Sequence, residues 1–128
     1  MILVVDASAI AAVLYGEPEG ATIRAHVRGE TMIAPSLIDY ELANSSLKKI
    51  RREPEKGAVV LAMLRGLETL AIRRVPTPAL DVAALAVKTG LSAYDASYLW
   101  LAMSNDCELV TLDARLARVN AHLRELPE

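Results

Sequence analysis

The sequence predicts an α/β fold, a parallel sheet of four to five strands held between helices in a three-layer α/β/α sandwich. Three observations lead there. The chain opens on Ile2-Leu3-Val4-Val5, an apolar, mostly β-branched run too short for a helix. Three further short apolar runs follow, and segments with helical spacing of apolar residues separate all four, the pattern of parallel strands joined by crossover helices. At 128 residues the chain, taken as one domain over residues 1–128, is large enough to bury a core.

In order, the first strand stops at Asp6. Ser8 is placed to cap a helix over Ala9 to Leu14. Gly16 and Pro18 break the pattern before an amphipathic helix from Pro18 to Arg28, which Gly29 ends. Met32-Ile33-Ala34 is the second strand, and Pro35 marks the entry to a long helix reaching Arg52. After Glu53-Pro54-Glu55 a helix is expected from Pro54 to Thr69, with Val59, Val60, Met63, Leu64 and Leu67 on its apolar face. Leu70-Ala71-Ile72 with Val75 reads as the third strand. Thr77-Pro78 opens the next helix and Gly90 closes it. Ser92 starts another, Ala93 to Asn105, Glu108 to Thr111 is the fourth strand, and Asp113 introduces a last helix to about His122. The closing LRELPE shows no clear final strand.

The composition is 53% apolar with no Phe, so Leu, Val, Ala and Ile must fill the core. No apolar run approaches the ~18–20 residues needed to span a bilayer, so no membrane role is expected. Because the chain opens directly on a strand, no signal peptide is expected. The single Cys107 excludes an internal disulfide, and the distant His26 and His122 do not suggest a zinc site. A reducing, cytoplasmic setting is expected. A net charge of −2 looks wrong for a nucleic-acid binder, yet the segment Lys48 to Arg74 carries eight basic residues against three acids. That excess is enough for a local phosphate-attracting field, although solvated helix faces would give the same count.

Four acids stand out. Asp6 sits beyond a strand end, where open α/β sheets bind ligands, though a turn aspartate that only caps a helix would read the same way. Winding the long helix at ~100° per residue puts Glu41, Asn44, Ser45 and Lys48 on one stripe. Ile38 and Leu42 border that stripe on one side, and Tyr40, Ala43 and Leu47 on the other, so it should face a cleft. Asp39 points away, near Ser46, toward solvent. The Ala93 helix is apolar nearly all round, and Asp95 shares a stripe with Tyr98, Leu99 and Ala102. Ser92-x-x-Asp95 also matches a capping box. Thr111-Leu112-Asp113 repeats the opening logic of a buried strand ending in an acid, and Asp6 meets Asp113 if strands one and four are neighbours. Four carboxylates without histidine or cysteine company form a hard-cation pattern, suited to Mg2+ or Mn2+.

These residues resemble the PIN-domain family, and within it the VapC-type toxins of toxin–antitoxin systems. The resemblance spans nearly the whole chain. It rests on Asp6 with Ser8, on Pro35-x-Leu37-x-x-x-Glu41-x-x-Asn44, on the run from Gly90 to Leu99, and on Thr111-x-Asp113. It implies a Mg2+- or Mn2+-dependent endoribonuclease whose four acids match Asp6, Glu41, Asp95 and Asp113, with Ser8, Asn44 and Thr111 as polar supports. It further implies an RNA substrate, a cognate antitoxin that places a basic side chain in the acidic cleft, and a homodimer. Asp81 and Asp106 are acids to which the family pattern gives no role. A PIN-like RNA-processing nuclease outside a toxin–antitoxin system and a catalytically silent binding module remain as alternatives. A phosphoacceptor receiver domain fits poorly: Asp6 is single, Arg73 and Arg74 follow the third strand, and no Lys lies beyond Lys88.

Overall fold

The computed structural model describes residues 1–126, so the end of the LRELPE segment, Pro127 and Glu128, lies outside them. The strands are β1 (Ile2–Val5), β2 (Thr31–Pro35), β3 (Ile72–Val75) and β4 (Glu108–Val110). The helices are α1 (Ala7–Leu14), α2 (Gly20–Val27), α3 (Ile38–Arg52), α4 (Gly57–Arg65), α5 (Ala79–Thr89), α6 (Ala93–Ser104) and α7 (Ala114–Glu125). All strand pairs are parallel, in the order β3-β2-β1-β4. Among the described residues the sheet therefore has four strands, the lower of the expected numbers.

The β1 residues Leu3, Val4 and Val5 are all buried. Successive side chains of a strand point to opposite faces, so both faces of the sheet are covered. Right-handed crossovers place α1 to α4, which connect β1 to β2 to β3, on one face. The connection from β3 back to β4 puts α5 and α6 on the other, where α6 packs directly on β1, β2 and β4. This burial explains why α6 is apolar nearly all round: Ala96, Ser97, Tyr98, Leu99, Leu101 and Ala102 are buried.

The element order follows the sequence reading, with local corrections. Asp6, not Ser8, caps α1, accepting from the Ala9 N–H at 3.0 Å, and the helix begins at Ala7. A carboxylate two residues earlier reaches the third helical N–H, leaving the serine hydroxyl for other partners. The second helix starts at Gly20 rather than Pro18, and Gly20 packs on α1 so closely that a Cβ would lie 2.3 Å from the Ala12 carbonyl oxygen. Pro35 ends β2 instead of opening α3. It pairs with Val75 of β3, and pairing to β1 has already stopped at Ile33, so its missing N–H costs no ladder bond on that side. The expected helix from Pro54 to Thr69 divides into α4 and flanking 3-10 turns, Pro54–Lys56 and Gly66–Thr69. The third strand takes in Arg73 and Arg74 rather than Leu70 and Ala71. It is an edge strand, which tolerates polar side chains. Gly90 closes α5 in the left-handed region, with φ 75°.

Candidate functional site at the carboxyl edge of the sheet

The strand order places β1 beside β4, and the connections after β1 and β3 cover opposite faces. That is a topological switch point, and its crevice lies beyond the carboxyl ends of the strands. Asp6 follows β1 there and Asp113 follows β4. The two strand ends are tied by a bond from the Asp6 N–H to the Val110 carbonyl, 3.2 Å.

Asp6 is almost wholly buried, with 4% of its surface exposed. Its Oδ1 accepts from the Ser8 hydroxyl at 2.7 Å as well as from Ala9, and its Oδ2 accepts a short bond from the Thr111 hydroxyl. The same Thr111 oxygen accepts from the Asp113 N–H at 3.0 Å, and Ser8 accepts from the Leu112 N–H at 2.9 Å. Ser8 and Thr111 thus lace the end of β1 to the turn after β4. Asp113 caps α7, its Oδ1 accepting from the Leu116 N–H at 3.0 Å. Asp6 and Asp113 each do cap a helix, and both stand at the crevice as well.

Glu41 enters from α3, where its Oε1 accepts from the buried Tyr98 hydroxyl of α6 at 2.6 Å. Because α3 and α6 lie on opposite faces of the sheet, this bond closes the crevice across the strand ends. Asp95 sits one turn before Tyr98 on α6. Ser92 Oγ accepts from the Asp95 N–H at 3.1 Å, so half of the expected capping box is present while the Asp95 carboxylate remains half-exposed. Asn44 is exposed and shares a cleft of about 260 Å³ with Ser8, Glu41 and Lys48.

The four acids influence one another in pairs: Asp6 with Asp113, Glu41 with Asp6 and with Asp95, and Asp95 with Asp113. Burial pushes the Asp6 carboxyl above its usual range, the Thr111, Ser8 and Ala9 bonds pull it back, and the charge of Asp113 adds a further push. Burial also raises Glu41; the Tyr98 bond opposes this, and the charges of Asp95 and Asp6 reinforce it. Asp95 is raised by burial and then by Asp113, against a lowering effect from Arg115. Tyr98 is held firmly protonated by burial and by its bond to Glu41.

No three His, Cys, Asp or Glu side chains among the described residues converge closely enough to form a ready-made metal cage. The donor set nevertheless suits a hard cation. Mg2+ commonly takes only one or two carboxylates and keeps several waters. Glu41 Oε2 and Asp113 Oδ2 carry no hydrogen bond from the described residues, and Asp6 has one unused lone-pair direction.

Tyr98 is the residue that sequence reasoning passed over. The sequence puts it on the Asp95 stripe, three residues on, as apolar company, while the structure makes it a donor to Glu41. Two expectations on α3 are corrected. Asp39 does not face solvent alone: Arg74 donates to it through Nη2 at 2.6 Å and Nε at 3.2 Å, a forked ion pair joining α3 to β3. Its neighbour Ser46 is buried and bonds the Tyr15 hydroxyl. The flank formed by Tyr40, Ala43 and Leu47 lies on the surface, with Tyr40 77% exposed, so the cleft has a core wall on one side only. Asp81 is exposed, and Asp106 faces Arg124 at 3.4 Å.

A doubly wound parallel sheet with carboxylates gathered at its switch point defines an α/β protein with its ligand crevice at the strand ends. The PIN domain model matches residues 3–121. The chain is 37% identical to the VapC ribonuclease Mb0985 of Mycobacterium bovis over 119 residues, covering 91% of this chain and 89% of that one. It is 35% identical to the ribonuclease VapC3 of Pyrobaculum aerophilum over 122 residues, covering 91% and 93%. The crystal structure of PAE2754 from Pyrobaculum aerophilum superposes with a TM-score of 0.74 at 28% identity, over 93% of this chain and 84% of that one. The chain belongs to the PIN domain family.

Proposed function

We propose that this protein is a Mg2+- or Mn2+-dependent endoribonuclease, a single-domain toxin of a type II toxin–antitoxin pair acting in the cytoplasm. The observation that carries the reading is the gathering of Asp6, Glu41, Asp95 and Asp113 at one strand edge, where each acid raises or is raised by another. Such crowding of like charge is unfavourable in the bare protein and is relieved by a cation. Relatives named as VapC ribonucleases support an RNA substrate, and the antitoxin partner is proposed from the VapC resemblance. A homodimer is part of the same proposal. No helix among the described residues is long and apolar enough to cross a membrane.

Asp6, Glu41, Asp95 and Asp113 would hold the ion. When bound, it supplies a Lewis acid at the scissile phosphate and lowers the pKa of an attacking water. The protein's own part is positional. Ser8 and Thr111 fix the Asp6 carboxylate from both oxygens, so that it meets its ligand without reorganising. Tyr98 fixes Glu41 through one oxygen and leaves the other free to orient a water. Asn44 adds a polar wall, and the acidic cleft is complementary to an antitoxin guanidinium.

Purified protein should cleave RNA with Mg2+ or Mn2+ and stop in excess chelator, with Zn2+ a poor substitute for want of nitrogen or sulfur ligands. Full cleavage in chelator would overturn the metal mechanism. Co-expression with the product of an adjacent small gene should suppress cleavage, and undiminished activity in that complex would overturn the toxin assignment.

A further inference from the structure

Three of the eight cations between Lys48 and Arg74 are engaged within the fold. Arg74 is paired with Asp39, and Lys56 with Glu53 at 2.8 Å. Lys49 lies over the Tyr15 ring, 4.7 Å from its centre. Lys48 has no acidic partner among the described residues, and it alone of these cations lines the same cleft as Glu41. The opposite wall of that cleft is made by Ala7, Ser8 and Ala11 of α1, small residues that leave the groove open.

Glu41 and Lys48 are seven residues apart on α3, hence on one face and about 10.5 Å apart along the axis. Asn44 stands between them, exposed, its side chain making no hydrogen bond to the described residues. Further along α3 and past its end, a separate cleft of about 220 Å³ is lined by Lys49, Arg52, Lys56 and the Glu53 that pairs with Lys56. The order from acid to neutral amide to cation is therefore directional, leading away from the carboxylates along α1 and α3.

We propose that Lys48, with Asn44 beside it, forms a phosphate subsite that positions the RNA strand on one side of the scissile bond, and that the strand leaves along the groove between α1 and α3. This rests on the ribonuclease reading. Lys48 is a positioning residue: it holds a phosphate neighbouring the one attacked and takes no part in bond cleavage. A compact ammonium suits this task, since it meets a phosphate as a point charge without demanding fixed geometry.

The test compares the full-length wild type, Lys48→Gln, Lys48→Arg and a control, Arg28→Gln, on a short single-stranded RNA. Arg28 lies just past α2, away from the carboxyl edge. Binding is measured in chelator across a salt series, and cleavage with Mg2+. Lys48→Gln should raise KM several-fold with kcat little changed and flatten the salt slope of binding by about 0.7. Lys48→Arg should restore both, and Arg28→Gln should leave both alone. A single uncharged methylphosphonate walked along the RNA should weaken wild-type binding at a position on one side of the cleavage point, and Lys48→Gln should be indifferent to it there. Equal losses in Lys48→Gln and Arg28→Gln, or a methylphosphonate effect that persists in Lys48→Gln, would overturn the subsite. A wild type inert on RNA would instead overturn the ribonuclease reading beneath it.

Discussion

Replacing Tyr98 by Phe removes one oxygen and nothing else from a side chain that is 1% exposed, so the ring's packing is retained. What is lost is the 2.6 Å bond to Glu41 Oε1. A hydrogen bond to a charged group contributes ~1.5–3 kcal/mol, and the low end applies because water can reach the half-exposed Glu41. A loss of about 1.5 kcal/mol corresponds to ~5 °C in Tm for a chain of this size. The loss should depend on pH in a set direction. The bond favours ionised Glu41 and opposes the rise of its pKa, so in Tyr98→Phe that pKa climbs further. The destabilisation is complete above the variant's folded pKa and shrinks as pH falls through the wild-type folded value. Thermal melts of metal-free wild type and variant at neutral pH and near the ordinary glutamate pKa would show it. In the cleavage assay, the acidic limb of the pH profile should move up. An equal Tm loss at both pH values, with an unmoved limb, would refute the role assigned to this bond and leave Tyr98 as packing alone.

Three further outcomes are expected. Asp95→Asn keeps the Ser92 cap, because the bond comes from the backbone N–H, so metal-free stability should not fall, and relief of like-charge repulsion should even raise it; activity should drop by orders of magnitude and stabilisation by Mg2+ should shrink, read from melts with ion and with chelator. The metal-free protein should grow more stable as pH falls from neutrality, because Asp6, Glu41 and Asp95 all have raised folded pKa values: their contribution is complete below the unfolded values and lost as pH rises through the folded ones. Saturating Mg2+ should diminish this trend, and a flat metal-free curve would show that the acids do not crowd. Asp39→Asn should cost at most about 1 kcal/mol, given the partial exposure of its pair with Arg74, and leave cleavage unchanged; a large loss of activity would place Asp39 in the site after all.

Much of this was legible before folding. Strand and helix order follow from short apolar runs and helical periodicity, which depend on local chain geometry alone. So do the acids after β1 and β4 and the Ser92 cap, since a strand end and a helix start each have a local signature. The expected neighbours on the Glu41 stripe, Asn44, Ser45 and Lys48, do line one cleft, because residues three, four and seven apart share a helix face.

Other features came only with the tertiary structure, and each depends on contacts between residues distant in sequence. Whether Asp6 and Asp113 stand together required the strand order, which periodicity does not encode. The Tyr98 bond spans 57 residues and Thr111 to Asp6 spans 105, so no local pattern announces either. Asp39 and Glu41 look alike on the helix. What separates them is that β3 brings Arg74 to Asp39, while α6 brings Tyr98 to Glu41. The basic segment behaved the same way: its charge was countable in the sequence, but that Lys48 lines the Glu41 cleft while Arg74 pairs with Asp39 was decided by packing.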